Sequence, residues 1–269
     1  MIAVVDYQKG NLKSVERGLI AAGGEALITA DASEIAKADA IVLPGVGAFA
    51  DAAATMCELG QMEAIRDRVR AGVPFLGICL GEHLMFEHGV EGAPEGNPAC
   101  GLGLLPGTVV AMPRYDAQGK AFKVPHVGWN TIEMPACNRG AAVPPCGEDG
   151  GNAVLSSGGA GGGAARSSAA KRGLFEHGAF PGSAPQAGSE LAFACPLFDG
   201  IAPGEYFYFT HSYIAPTGSH TIAETTHSTR FTSAVQFGER AFGVQFHPEK
   251  SSDAGARVLA NFVAIAARG

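Results

Sequence analysis

Three short segments carry residue types that could make and break covalent bonds. The first is Gly77-Ile78-Cys79-Leu80-Gly81, which follows the apolar run Val73 to Leu76 and opens the helix-like stretch LGEHLMFEH. A strand, a nucleophile with glycine two residues to either side, and a helix form the pattern of a nucleophile elbow, here with cysteine in the central place. The spacing has a steric cause: a sharp turn strains the nucleophile's backbone, and neighbours without side chains let strand and helix approach. At a helix N-terminus the positive end of the dipole would favour thiolate over thiol. Taken alone, the segment also fits a buried structural cysteine.

The second segment is Phe246-His247-Pro248-Glu249, at the end of an expected strand from Phe242 to Phe246. On extended backbone, residues two apart point to the same side, so Glu249 could orient one ring nitrogen of His247 while the other faces a nucleophile. A lone histidine near a strand end is otherwise an ordinary surface or core residue. With Cys79 the three form a Cys, His, acid set in chain order. The third segment, Leu43-Pro44-Gly45-Val46-Gly47-Ala48-Phe49, joins a buried strand to a helix. Its glycines either make a tight turn or free backbone N–H groups to point at an anion. Beside the elbow, at the C-terminal edge of a sheet, such N–H groups would serve as an oxyanion hole.

The elements that must position these residues alternate between strand and helix over the first 90 positions. Ile2 to Val5 reads as a strand, Leu12, Val15 and Leu19 as a helix ending at Gly23-Gly24, and Ala26 to Ile28 and Ala40 to Leu43 as further strands. Helical stretches follow around Phe49 to Leu59 and Met62 to Val69, then a strand from Val73 to Ile78. This order predicts a parallel sheet covered on both faces. Beyond residue 100 strands and turns dominate: Leu104 to Met112, Ala121 to Met134, Tyr206 to Ile214, Thr221 to Thr226, and Ala234 to Phe237 paired across Gly238-Glu239-Arg240 with Phe242 to Phe246. A closing helix is expected with Ser251 or Ser252 as N-cap and Val258, Leu259, Phe262 and Val263 on its buried face.

The fold class is therefore α/β, a single domain over residues 1–269 with a mostly parallel central sheet covered by helices and a strand-rich C-terminal half. Between residues 138 and 190 the pattern disappears, and 13 of the chain's 38 glycines fall there. With too little apolar material to offset its ordering entropy, this stretch is expected to be a flexible Gly-rich insertion.

Composition narrows the function. Of 269 residues 46% are hydrophobic and 17% charged, enough apolar material for a sizeable core. A net charge of -7 without a basic block argues against a nucleic-acid binder. No apolar run reaches the roughly 18 to 20 residues that span a bilayer, and the opening MIAVVDYQKGN lacks the basic start of a signal peptide, so a cytoplasmic protein is expected. Six cysteines without CxxC spacing fit neither a disulfide framework nor a zinc site, and no metal or cofactor is expected.

Together these residues resemble the class I, triad-type glutamine amidotransferases, in which a cysteine elbow and an FHPE segment occur in the same order. Within that family the chain is similar to the glutaminase subunits of imidazole glycerol phosphate synthases. The likeness rests on VVDYxxGN at 4 to 11, LPGVGAF at 43 to 49, GLGLLPGTV at 101 to 109, KVPHVGWN at 123 to 130, YFTHSY at 208 to 213 and GVQFHPEKS at 243 to 251. The resemblance implies that Cys79 attacks the side-chain amide of glutamine, that His247 moves the proton and that Glu249 orients His247. It implies an oxyanion hole from the N–H of Leu80 and one in the turn at Val46 and Gly47, with Gly47, Ser212 and Tyr213 gripping the substrate. It also implies a partner, a (β/α)8-barrel cyclase subunit that takes the ammonia in a heterodimer, with Asn11, His126 and Trp129 at or near the interface. Plain core packing is the other reading of Trp129. Where the family usually has a substrate-contacting Gln, four residues after the cysteine, this chain has His83, which implies weaker glutamine binding. A stand-alone cysteine hydrolase of γ-glutamyl amide bonds would share the elbow and the histidine.

Overall fold

The computed structural model describes residues 1–135 and 192–268, so the insertion expected at 138–190 lies outside the described residues. The alternation read from the sequence is present: β1 (Ile2–Val5), α1 (Leu12–Ala21), β2 (Ala26–Thr29), α2 (Ala32–Ile35), β3 (Ala40–Gly45), α3 (Phe49–Glu58), α4 (Gln61–Arg70) and β4 (Phe75–Cys79). The apolar runs IAVV and FLGIC are buried along their whole length, as strands covered on both faces must be. In α1 the spacing of Val15 and Leu19 puts both on the buried side, and the chain leaves the helix through Gly23 at φ +87°.

A single-turn helix α5 (Leu80–His83) follows β4, and then come β5 (Phe86–Gly89), β6 (Ala99–Cys100), β7 (Leu105–Ala111), β8 (His126–Thr131), β9 (Tyr206–His211), β10 (Tyr213–Ile214), β11 (Thr221–Thr226), β12 (Arg230–Phe237), β13 (Ala241–Val244) and α6 (Ser252–Ala266). The main sheet has the order β11-β12-β13-β4-β3-β1-β2. From β13 to β2 every pairing is parallel, and β11 and β12 add an antiparallel edge. One face packs against α1 and α6 through residues such as Leu19, Phe246, Leu259 and Phe262, and the other against α3 and α4 through Met56, Ile65 and Val69. No described helix is long and apolar enough to cross a membrane.

Three expectations need correction, one being the strand expected from Tyr206 to Ile214, which breaks at Ser212 into β9, paired with β8, and β10, paired with β7. The segment after the elbow is not a long helix: Leu102, Leu104 and Leu105 donate their N–H groups to the carbonyls of Leu84 and Met85, and Phe86–Gly89 pairs with β7 and β6. Those carbonyls serve tertiary pairing, so the helix stops after one turn. The strand expected from Ala121 to Met134 is shortened to β8, which begins after Pro125, a residue with no N–H to give a ladder.

Candidate active site

Cys79 occupies the junction of β4 and α5 at φ +54°, ψ −105°, a region that costs a non-glycine residue about 1–3 kcal/mol. The glycines at both sides permit this turn. A Cβ on Gly77 would lie 2.5 Å from the carbonyl oxygen of Gly81, and one on Gly81 would run into the carbonyl of Leu43. The elbow is therefore closed by backbone packed on backbone.

Strand register brings the other segments to the same place. On one side of β4, Gly45 of β3 pairs with Cys79, so the turn at Val46 and Gly47 leaves the sheet next to that cysteine. On the other side Val244 pairs with Ile78, so Gln245 comes level with Cys79 and His247 follows two positions later. Leu80 opens α5, and its N–H has no acceptor within the helix. Cys79, Leu80 and the Val46-Gly47 turn thus meet at the C-terminal ends of neighbouring parallel strands.

His247 is buried and held by both backbone groups: its N–H donates to the Tyr208 carbonyl at 2.9 Å and its C=O accepts from the Ser251 hydroxyl at 2.6 Å. Its Nδ1 lies 3.0 Å from Glu249 Oε1, whose carboxylate also accepts from Asn11 Nδ2 at 3.4 Å. Pro248–Lys250 forms a 3-10 turn, so Glu249 reaches the ring by the chain folding back rather than along an extended strand as the spacing predicted. Nε2 has no hydrogen-bond partner of good geometry among the described residues, yet Cys79 is close enough to act on the ring. Burial pushes the imidazole pKa down, but hydrogen bonding and charge interaction with Cys79 and then Glu249 outweigh it and raise the pKa to about 9. Burial acts on Glu249 in the opposite direction, and its bond to His247 holds the carboxyl below its ordinary value.

Around the sulfur, Gln245 Nε2 donates to Sγ at 3.7 Å and the Thr210 carbonyl lies 3.9 Å away. Gln245 is fully buried, and its Oε1 lies 2.7 Å from Nε2 of His83. The Tyr7 hydroxyl, also buried, lies against Gly45 beside the turn. Burial and then nearby Cys79 raise its pKa, with the Val46 N–H acting in the opposite direction. Spacing rules missed Gln245 and Tyr7. A single amide in the buried run AFGVQF was the available signal for Gln245, and its place in VVDYxxGN the one for Tyr7.

Other expected site residues divide. Strand β9 passes the thiol at Thr210, two residues before Ser212, and both Ser212 and Tyr213 are half-buried. His83 is brought to Gln245 rather than to an open surface. In the β8–β9 ribbon, Val127, Trp129 and Tyr206 share one face and are 57%, 44% and 57% exposed. This exposure removes the core-packing reading of Trp129. His126 points to the opposite, buried face, where Nδ1 lies 3.0 Å from His211 Nε2 and Nε2 lies 3.2 Å from Asn130 Nδ2. The Tyr213 carbonyl, 2.8 Å from His211 Nδ1, can only accept. It therefore fixes the His211 proton on Nδ1, and a one-way chain of donors runs from Asn130 through His126 and His211 to Tyr213. Among the described residues no group of three or more His, Cys, Asp and Glu side chains is arranged to hold a metal ion.

The family model for glutamine amidotransferase class-I matches residues 3–145 and 169–266. The imidazole glycerol phosphate synthase subunit HisH of Moorella thermoacetica is 36% identical, over 97% of this chain and 93% of that protein. The subunit of the same name from Rhodopirellula baltica is 35% identical, over 97% and 96%. A solved glutamine amidotransferase shares the fold at a TM-score of 0.58 and 16% identity, over 99% of this chain and 98% of that one. With both halves of the chain matched and relatives more than a third identical along nearly its whole length, this chain belongs to the class-I glutamine amidotransferases and, among them, to the family of HisH subunits of imidazole glycerol phosphate synthase.

Proposed function

We propose that this chain hydrolyses L-glutamine to glutamate and ammonia through a thioester on Cys79, and passes the ammonia to a (β/α)8-barrel cyclase subunit in a heterodimer. That partner uses the ammonia to form imidazole glycerol phosphate and an aminoimidazole carboxamide ribotide in histidine biosynthesis. The observation that carries the chemistry is a strained Cys79 beside a buried His247 that is bonded through Nδ1 to Glu249. The thiolate adds to the amide carbon, and the oxyanion receives N–H donors from Leu80 and the Val46-Gly47 turn. His247, protonated and stabilised by Glu249, gives its proton to the leaving nitrogen, and ammonia departs as the C–N bond breaks. Water then adds to the thioester carbonyl with His247 accepting its proton. The C–S bond breaks, and glutamate and free Cys79 are restored. Ser212, which follows β9, and Tyr213, which opens β10, are the candidates to hold the substrate, with Gly47 in the turn after β3.

Trp129 and Asn11 are assigned to the partner-facing side, Trp129 for its exposed aromatic face and Asn11 for its bond to Glu249. His126 supports that face from beneath. The amidotransferase domain runs over residues 1–269 with an insertion at 138–190. A nucleophilic thiol, together with free Cys57, Cys100 and Cys195, suits the reducing cytoplasm. A stand-alone hydrolase of γ-glutamyl amide bonds would need no such exposed face. The test is glutamine hydrolysis with and without a barrel synthase loaded with its precursor, using wild type and Cys79→Ala. Expected are strong activation by the loaded partner and, for Cys79→Ala, a loss of more than about 10³-fold in glutamine-driven synthesis with ammonium-driven synthesis intact. High activity in isolation, unchanged by the partner, would sink the subunit reading.

A further inference from the structure

Taking Cys79 as the nucleophile, we infer that Gln245 is a positioning residue for its sulfur and that His83 sets the orientation of Gln245. The amide of Gln245 has two unlike ends, a donor and an acceptor. Gln245 is fully buried and flanks Cys79 in the sheet, with its N–H donating to the Ser233 carbonyl at 3.0 Å as β13 continues past Val244. Its backbone is therefore fixed, and the side chain can present either Nε2 or Oε1 to the thiol. Only Nε2 presents N–H groups to a thiolate; an oxygen in that place would repel it.

His83 decides between the two. It is buried, and its Nε2 lies 2.7 Å from Gln245 Oε1. Burial, opposed only in part by that bond, lowers the His83 pKa to about 4, so the ring is neutral at physiological pH. A neutral ring that carries its proton on Nε2 donates to Oε1 and turns Nε2 of the amide toward Sγ, which it reaches at 3.7 Å. The relay is thus His83 N–H to Gln245 C=O, then Gln245 N–H to Cys79 sulfur. Among the described residues the titratable groups that act on the thiol are His247 and Tyr7, with Glu249 behind His247. Gln245 adds a neutral donor to this set, one that neither gains nor loses a proton during the reaction.

A glutamine four residues from Cys79 could donate to Gln245 as His83 does, whereas an apolar residue could not. This gives a graded series. The full chain, with its partner present for turnover, is compared as wild type, Gln245→Met, His83→Leu, His83→Gln and the His83→Leu/Gln245→Met double variant. Two quantities are read: the pH dependence of Cys79 alkylation by iodoacetamide, mapped to that cysteine by mass spectrometry, and kcat and KM for glutamine. Gln245→Met is expected to move the alkylation midpoint up by about one pH unit and to lower kcat about tenfold with little change in KM. His83→Leu shifts both in the same direction by less, and His83→Gln restores most of the wild-type behaviour. The double variant is no worse than Gln245→Met, because the residues act in series. It also removes both polar partners together, so it leaves no buried group unpaired if a single variant folds poorly.

An unshifted midpoint and kcat in Gln245→Met or the double variant overturns the inference. So does strict additivity, or an effect of His83→Gln equal to that of His83→Leu. These outcomes are separate from failure of the functional reading, which would show as glutamine turnover surviving Cys79→Ala.

Discussion

His247 and the His126–His211 pair are all buried, and burial pushes every one of these rings toward its neutral form, but they end in opposite states. His247 faces a thiol and a carboxylate, and its pKa rises to about 9. His126 falls to about 4 through burial and then the neighbouring His227, and His211 falls well below its ordinary value, with burial again the largest cause. What differs is the partner. Glu249 can carry a negative charge that repays an imidazolium, whereas Asn130 and Tyr213 offer one donor and one acceptor matched to neutral rings. The first arrangement stores a proton next to the Cys79 thiol. The second holds the underside of the β8–β9 ribbon, whose upper face carries Val127 and Trp129.

Removing the charge from the first arrangement should make it resemble the second, with the largest effect among the changes that bear on these buried groups. Glu249→Gln keeps the shape and loses the carboxylate. Its kcat for glutamine is expected to fall on the order of 10³-fold, as when the orienting acid of a triad is neutralised. The His247 midpoint, followed by NMR of its ring protons, should move down from about 9. In wild type the raised pKa adds stability that is full below about pH 6.5 and is lost as pH rises through about 9. Glu249→Gln should flatten that alkaline loss. A histidine midpoint unchanged in the variant would break the contrast.

The second arrangement is probed by His126→Leu, which leaves His211 Nε2 without its donor at 3.0 Å. Stability by urea unfolding should drop by about 1–3 kcal/mol at neutral pH. The sign with pH is the reverse of that for His247. Wild type keeps the full contribution above about pH 6.5 and loses it as pH falls toward about 4, because the unfolded ring binds a proton before the folded one does. The variant lacks that proton and should lose less between those limits. An equal acid loss in both proteins would show that His126 is not held neutral by its surroundings.

How far these two regions were legible in the sequence follows from how local their causes are. The elbow could be read because Gly77, Cys79 and Gly81 impose their own turn, and the parallel strands because their apolar runs are continuous. The relation of His247 to Glu249 was read correctly in outcome but by the wrong route, since Pro248 starts a 3-10 turn that no spacing rule on extended backbone contains. Of the two serines expected at the N-cap of α6, Ser251 or Ser252, Ser251 takes the place, yet its hydroxyl serves the His247 carbonyl and the Tyr208 N–H instead of the helix. Gln245, Tyr7 and the inward face of His126 depend on which strand lies beside which. That register, between residues far apart in the chain, is set by tertiary packing and is not written in any short segment.

Glu82 completes the comparison as the case with burial and no partner. Its carboxyl is fully buried on α5, and among the described residues neither oxygen has a hydrogen bond. Burial alone raises its pKa well above the ordinary value. The acid is therefore held neutral at a cost, and the cost grows with pH above about 4.5, because the unfolded chain can ionise there and the folded one cannot. Glu82→Met has similar length, fits among Gly243, Met85 and Val235, and leaves nothing to desolvate. It should raise stability at pH 7 by about 1 kcal/mol, the smallest effect of the series, with the gain shrinking as pH falls toward 4.5. Urea unfolding of both proteins at several pH values measures this directly. A gain independent of pH would assign the effect to packing, and a loss would mean that the Glu82 carboxyl has a partner in solution, which would move it into the company of Glu249.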